Sequence, residues 1–365
     1  MVEYKVFARR TLTIGTDPEF VLKNIKKNIV VAAKGFDFFN KTQSDDKIGR
    51  DGAARPVEIR PNATYINKLD YMIQDINNII KNISIFCNKN NLIILCGAKT
   101  DNVSIGGHIH FGGRDIKGGK YYHSGRNDRV YNNTQKLVYA LDFYLTPMMN
   151  LFIPIEEVVK RRISGYGESH DFREQHWGIE YRTPYSFLAS PIMTNGFYAL
   201  SCLIAHHYNH LKLNGVKQNL LKDYNRYIHS NGNGLETTNG KIYNIVKPTI
   251  LKMMSRYSPN PKYNPYILSL FSLIEQHKTN ISKDVLANYG LKKQESQPIV
   301  SMSAYSPSLN IIVKKIHNTF KGKKFDMHLR PYYKNGKRYL FYDIRFEPPS
   351  PLKDIKVYKH LSLSG

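Results

Sequence analysis

The chain has 365 residues, 41% of them apolar, with 26 tyrosines and 17 phenylalanines, so it can bury a sizeable core and is neither a disordered tail nor a small disulfide scaffold. Its 53 Lys+Arg against 29 Asp+Glu give a formal net charge of +24, which favours polyanionic partners such as nucleotides or anionic polymers. The Lys-, Asn- and Ile-rich usage of an AT-rich genome accounts for the same excess, and no block of about five or six like charges marks a nucleic-acid-binding arm.

Short strand-like runs are predicted at Leu12–Ile14, Glu19–Leu22, Ile29–Ala32 and Val57–Ile59. A helix follows over about Thr64–Asn88, with Ile66, Leu69, Ile73, Ile76, Ile80 and Ile83 at helical spacing. Strands resume at Leu92–Cys96 and His108–Phe111. A second helix spans about Thr134–Phe152 and is kinked or broken near Pro147. Tyr166 to Arg173 reads as a glycine-containing loop ahead of a strand at Glu180. Ser190 and Pro191 suit the N-cap and first turn of a helix running to about Leu213. A loop at Ser230–Leu235 precedes amphipathic helices at Lys247–Arg256, Pro265–Gln276 and Pro307–Phe320. Near the end, Lys334-Asn335-Gly336-Lys337 separates two alternating runs, a hairpin signal. Strands and helices do not alternate regularly, which predicts an α+β fold with antiparallel sheet. Residues 1–215 form the expected catalytic core, and 216–365 a helical and β-hairpin part that completes it or forms a lid.

The three cysteines, Cys87, Cys96 and Cys202, have no redox or metal-ligand spacing. Met1 to Val6 lacks the apolar core of a signal peptide, and the most apolar window, Leu137–Ile155, is interrupted by Asp142, Pro147 and Asn150. A soluble, cytoplasmic protein is expected.

Four segments carry the chemistry: Asp17-Pro18-Glu19-Phe20, Asp51 to Arg60, Gly106-Gly107-His108-Ile109-His110-Phe111 and Ile179-Glu180-Tyr181-Arg182-Thr183-Pro184. In a strand, residues i and i+2 share a face, so Asp17 with Glu19, His108 with His110, and Glu58 with Arg60 each present two polar groups together. Asp17, Glu19, Asp51, Glu58 and Glu180 offer the oxygen ligands that hard divalent cations prefer, and His108 or His110 can join them. Arg60, Arg173 and Arg182 are planar, permanently charged forks suited to phosphate oxygens. Together these predict phosphoryl chemistry on a metal-bound nucleotide. Neither a P-loop nor a Gly-x-Gly-x-x-Gly fingerprint occurs, so the nucleotide needs another scaffold. Taken singly, each motif has an ordinary reading: a turn into a strand, paired strand histidines, or same-face ion pairs. Arg161, Arg162 and Arg173 read equally as basic surface, and His206, His207 and His210 as a helix face without an acidic partner.

In their order along the chain the four segments resemble the motifs of the glutamine synthetase and glutamate–cysteine ligase group. The glycine-flanked histidine strand, and Asp51-Gly-Ala-Ala close to Glu58-Ile-Arg60, resemble more narrowly the phage-associated phiEco32-like type 2 carboxylate–amine ligases. The resemblance covers about Thr13 to Pro191 and nothing beyond residue 215. It implies a curved antiparallel sheet with helices on its outer face, ATP, and Mg²⁺ or Mn²⁺. By position, Asp17, His108 and Glu180 would hold the metal nearest the transferable phosphate. Glu19 and Glu58, with Asp51 as a further candidate, would hold a second. Arg182, with Arg60 and Arg173, would steady the phosphoryl group, and His110, Arg173 and Arg182 would face the nucleotide. Two departures stand out: Asp17 replaces a glutamate, and Asp51 lies seven residues before Glu58. The implied reaction joins a carboxylate to an amine through an acyl phosphate, with both substrates unidentified and an anionic or polymeric one compatible with the charge. The rival readings are a metal-dependent hydrolase using the His-x-His strand and a non-catalytic, polyanion-binding phage protein.

Overall fold

A computed structural model describes residues 12–41, 46–50, 54–113, 116, 128–211, 217–223, 235–256, 258–292, 325–334 and 337–346. Asp51, the expected helix at Pro307–Phe320 and most of the Ser230–Leu235 loop lie outside the described residues. The chain divides into two compact units, Met1–Lys293 and Gln294–Gly365.

The first unit is built on two antiparallel sheets. One comprises β1 (Thr13–Thr16), β6 (Thr64–Tyr65), β10 (Ile109–Gly112), β11 (Phe172–Gln175) and β12 (Gly178–Tyr181), in the order β11-β12-β10-β1-β6. The other joins β2 (Glu19–Asn24), β3 (Ile29–Val31), β4 (Ile48–Gly49) and β5 (Val57–Ile59) in the order β3-β2-β5-β4, with β7 (Leu92–Leu95) also pairing with β2. Pro18 stands between β1 and β2, where the chain leaves one sheet for the other. A small ribbon of β8 (Lys99–Thr100) and β9 (Val103–Ser104) leads into the histidine strand.

Register gives the first sheet two unlike faces. Gly15 opposes His110, His110 opposes Glu180, and Glu180 opposes Arg173, so these four positions form one row on one face. On the other face Ile14, Ile109, Phe111, Ile179 and Tyr181 are fully buried. Helices cover that apolar face: α2 (Asp128–Tyr144), whose Asp142 accepts from the Tyr181 hydroxyl, and α5 (Pro191–His207), whose Tyr198 hydroxyl donates to Thr16. Between α2 and α5 the chain forms α3 (Thr146–Met149), after the break expected near Pro147, and α4 (Ile155–Ile163), which was not expected. In α1 (Leu69–Lys89) the apolar spacing seen in the sequence becomes a buried stripe from Leu69 to Cys87. Helix α5 starts as expected, with the Ser190 hydroxyl accepting from the Met193 N–H and Pro191 in the first turn.

Helices α6 (Leu235–Arg256), α7 (Asn264–Glu275) and α8 (Val285–Asn288) belong to this same unit, so the boundary expected near residue 215 falls inside it. Helix α7 lies so close to α5 that a Cβ on Gly196 would stand 2.4 Å from the Leu270 Cγ. Helix α6 begins a dozen residues before the expected Lys247 and runs through Pro248. The second unit contains the hairpin of β13 (Phe325–Lys334) and β14 (Lys337–Phe346), with Lys334 paired to Lys337 around the Asn335-Gly336 connection. The mixed helical and antiparallel architecture is the one expected from the sequence. No helix of the described residues is long and apolar enough to cross a membrane.

Candidate metal and nucleotide site

Three segments distant in sequence meet at the junction of the two sheets. Asp17 follows β1, Glu19 opens β2, His108 immediately precedes β10, and Glu180 lies within β12. The backbone ties them directly. The Glu19 N–H donates to the Gly106 carbonyl at 2.8 Å, and the Gly106 N–H donates to the Glu19 carboxylate at 2.6 Å. A buried relay fixes the histidine strand from behind: Tyr198 donates to the Thr16 hydroxyl at 2.8 Å, which donates to the His108 carbonyl at 2.6 Å.

His108 Nδ1 lies 3.1 Å from Asp17 Oδ1 and 3.4 Å from Glu180 Oε1. His110 Nε2 lies 3.3 Å from Asp17 Oδ2. Yet Asp17 Oδ1, His108 Nδ1, Glu180 Oε1 and His110 Nε2 are all buried and make no hydrogen bond. Buried polar atoms without partners are costly, and a set aimed at one point calls for a cation. Ligand atoms of Asp17, His108 and Glu180 lie within 4.8 Å of one another, and bonds of about 2.1 Å around one ion place neighbouring ligands at about 3 Å. Two carboxylate oxygens and an imidazole nitrogen therefore fit a hard or borderline divalent ion. No other such group occurs among the described residues, and His206, His207 and His210 form none.

The electrostatics agree. Burial pushes the His108 imidazole towards its neutral form, but Asp17, Glu19 and Glu180 outweigh it and raise its pKa. Burial likewise opposes ionisation of Asp17, yet His110 and His108 hold its carboxyl far below the usual range. Burial, with the charge of Asp17 added, raises Glu19 against the pull of His108, the Gly106 N–H and Arg161. Glu19 also stands directly across from Glu58, a like-charge pairing that is unfavourable without a cation.

The arginines take varied places. Arg60 binds Glu58, donating from Nε at 2.6 Å. Arg173 donates from Nε and Nη2 to the Glu180 Oε2, at 2.8 and 2.6 Å, and Gln175 adds a bond at 3.2 Å. Both therefore orient carboxylates of the cluster, leaving the Glu180 Oε1 to face His108. Arg182 Nε lies 3.4 Å from that oxygen, and Nη1 lies 3.6 Å from Asp171. Arg161 and Arg162 are buried, at 3% and 5% exposure, so neither belongs to a basic surface rim. Arg161 instead grips the turn after β12, donating to the carbonyls of Thr183 and Pro184 at 2.8 Å each.

Sequence reasoning missed Tyr166, whose hydroxyl lies 2.7 Å from His108 Nε2 and whose ring carries the Arg161 guanidinium at 4.6 Å. A lone tyrosine in a glycine-rich loop gave no signal. The single tryptophan, Trp177, packs on His110 at 5.1 Å between ring centroids.

No curated protein sequence matches the chain. Among solved structures, one described as apo GmaS without ligand is 12% identical, with a TM-score of 0.37, covering 67% of this chain and 70% of that one. A bifunctional glutathione synthetase from Pasteurella multocida is 10% identical at a TM-score of 0.37, covering 92% of this chain and 59% of that one. Likenesses this distant carry no argument about fold or chemistry. The family model of the phage phiEco32-like COOH·NH2 ligase-type 2 proteins, however, matches residues 14–291, a span holding every strand of the site and the helices behind it, and the chain belongs to that family of carbon–nitrogen ligases.

Proposed function

We propose that the protein is an ATP-dependent amidoligase with a glutamine-synthetase-like catalytic fold, which activates a carboxylate as an acyl phosphate and passes the acyl group to an amine. The observation that carries this reading is the convergence of orphaned buried atoms from Asp17, His108 and Glu180 beside Arg182. Asp17, His108 and Glu180 would hold one Mg²⁺ or Mn²⁺, and Glu19 with Glu58 a second. Bound there, the ions would neutralise charge on the nucleotide phosphates and on the phosphoryl group in transfer.

The protein's own residues then have separable tasks. Arg173 and Arg60 keep Glu180 and Glu58 aimed. Arg182, whose planar fork faces the same centre, stabilises the equatorial oxygens of the phosphoryl group. His110, beside Trp177, lies toward the nucleotide. Asp51 is a further candidate ligand. The carboxylate and amine follow from the site's chemistry as classes only, because motif and fold do not fix substrate.

The test is ADP release screened over carboxylate–amine pairs with and without Mg²⁺. Expected is ADP formation that needs the metal and both substrates. Hydroxylamine in place of the amine should trap the acyl phosphate as a hydroxamate. ATP-independent hydrolysis at the same site would favour the hydrolase reading, and absence of turnover with retained polyanion binding the non-catalytic one.

A further inference from the structure

The loop between α4 and β11 places one aromatic ring between the two halves of the site. Tyr166 reaches His108 Nε2 with its hydroxyl at 2.7 Å, on the opposite side of the imidazole from the nitrogen that faces Asp17 and Glu180. Its ring meets two guanidiniums: Arg161 at 4.6 Å and Arg182 at 5.5 Å from the centroid.

The surroundings are cut to this arrangement. A Cβ on Gly106 would stand 2.5 Å from His108 Nε2 and 2.6 Å from the Tyr166 hydroxyl, inside the hydrogen bond itself. Gly167 has φ +74°, and a Cβ there would run into the Arg161 guanidinium. Arg161 is buried and donates from Nη1 and Nη2 to the carbonyls after β12, so the ring rests on a fixed cation.

A histidine that ligates through one ring nitrogen must hold its proton on the other, and a partner there fixes tautomer and ring angle. From this geometry we infer that Tyr166 is a positioning residue that acts on both parts of the centre. Its hydroxyl oxygen accepts a hydrogen bond from the His108 Nε2–H and so presents Nδ1 to the metal, while its ring holds the Arg182 side chain over the same point. The inference rests on the metal-centre reading above. It adds a residue that touches neither metal nor substrate, and it predicts that metal affinity and arginine placement can be lost separately.

The experiment uses the full chain without nucleotide or substrates and reads Mn²⁺ binding by quenching of the single tryptophan, Trp177, which packs on His110. Tyr166→Phe keeps the ring and removes the oxygen. It should weaken Mn²⁺ binding about 10- to 100-fold, the usual cost of losing a hydrogen-bond partner behind a ligand. At saturating metal its kcat should recover. Tyr166→Leu removes the ring as well, and its kcat should stay low at saturating metal because Arg182 has lost its support. Gly106→Ala, which pushes a methyl into the same hydrogen bond from the other side, should reproduce the affinity loss if either tyrosine variant fails to fold. Wild-type Mn²⁺ affinity in Tyr166→Phe or in Gly106→Ala would overturn the positioning role while leaving the metal centre intact. No Mn²⁺ binding by the wild type itself would overturn both.

Discussion

Arg173, on β11, and Arg182, just past the end of β12, carry the same charge yet have different work. Arg173 is bidentate on one oxygen of Glu180, whereas the Arg182 Nε lies buried, without a hydrogen bond, beside the other. A fork held by ion pairs with Asp171 and Glu180, with no hydrogen bond at its Nε, is suited to a charge that appears only during reaction. Arg182→Lys should therefore lower kcat by about 100-fold, the scale of losing one preorganised donor, while nucleotide affinity changes little. Steady-state kinetics with separate measurement of nucleotide binding check this. Equal losses in nucleotide affinity and kcat/KM at unchanged kcat would show ordinary ground-state binding instead.

Among the elements, α5 does the most to hold the site from behind. It touches the sheet through Tyr198 and Thr16, and it receives α7 at Gly196. Gly196→Val would drive side-chain atoms into buried Leu270 and should cost about 1–3 kcal/mol, the range for overpacking a core. Thermal unfolding should show a lower Tm, with Mn²⁺ affinity of the remaining folded protein nearly unchanged. The sequence made α5 legible because its start is marked chemically, by serine and proline, and α1 because its apolar spacing is regular. It hid α4 because Lys160-Arg161-Arg162 looks like solvated surface, although Arg161 and Arg162 are buried and Arg161 donates to backbone carbonyls. It hid the early start of α6 because Pro248 reads as a helix boundary, whereas this helix tolerates it internally. The candidate metal ligands were legible as a set, because paired acids and imidazoles recur in order inside apolar strands, although each pair singly has an ordinary reading. Tyr166 was not, since its role comes from a meeting with His108 across 58 residues.

At the scale of the molecule, stability has a pH limit set by buried thiols. Burial pushes Cys87 up to about 12 from an ordinary value near 9.0, and raises Cys96 and Cys202 further. In the unfolded chain these groups ionise from about pH 9, while in the fold they remain neutral. Their contribution is therefore complete below about pH 9 and is lost as pH rises toward 12. The Tm should fall across that window, and the three thiols should resist aromatic disulfide reagents at pH 8 until the protein unfolds. Rapid labelling of all three in the native state would contradict this. Of the three basic residues before the site loop, Arg161 and Arg162 are interior, so they add nothing to a basic surface there.

The row formed by Gly15, His110, Glu180 and Arg173 has one more implication, and it concerns parity. From His108, just before β10, through Phe111, imidazoles alternate with Ile109 and Phe111, so an odd change in length between Gly106 and His110 would exchange the candidate donors for hydrocarbon and drive imidazoles into the apolar layer. The centre cannot be shifted by a partial slip or tuned by small displacement. A one-residue insertion or deletion within this strand should therefore abolish Mn²⁺ binding, whereas a two-residue change keeps the candidate donors on their face.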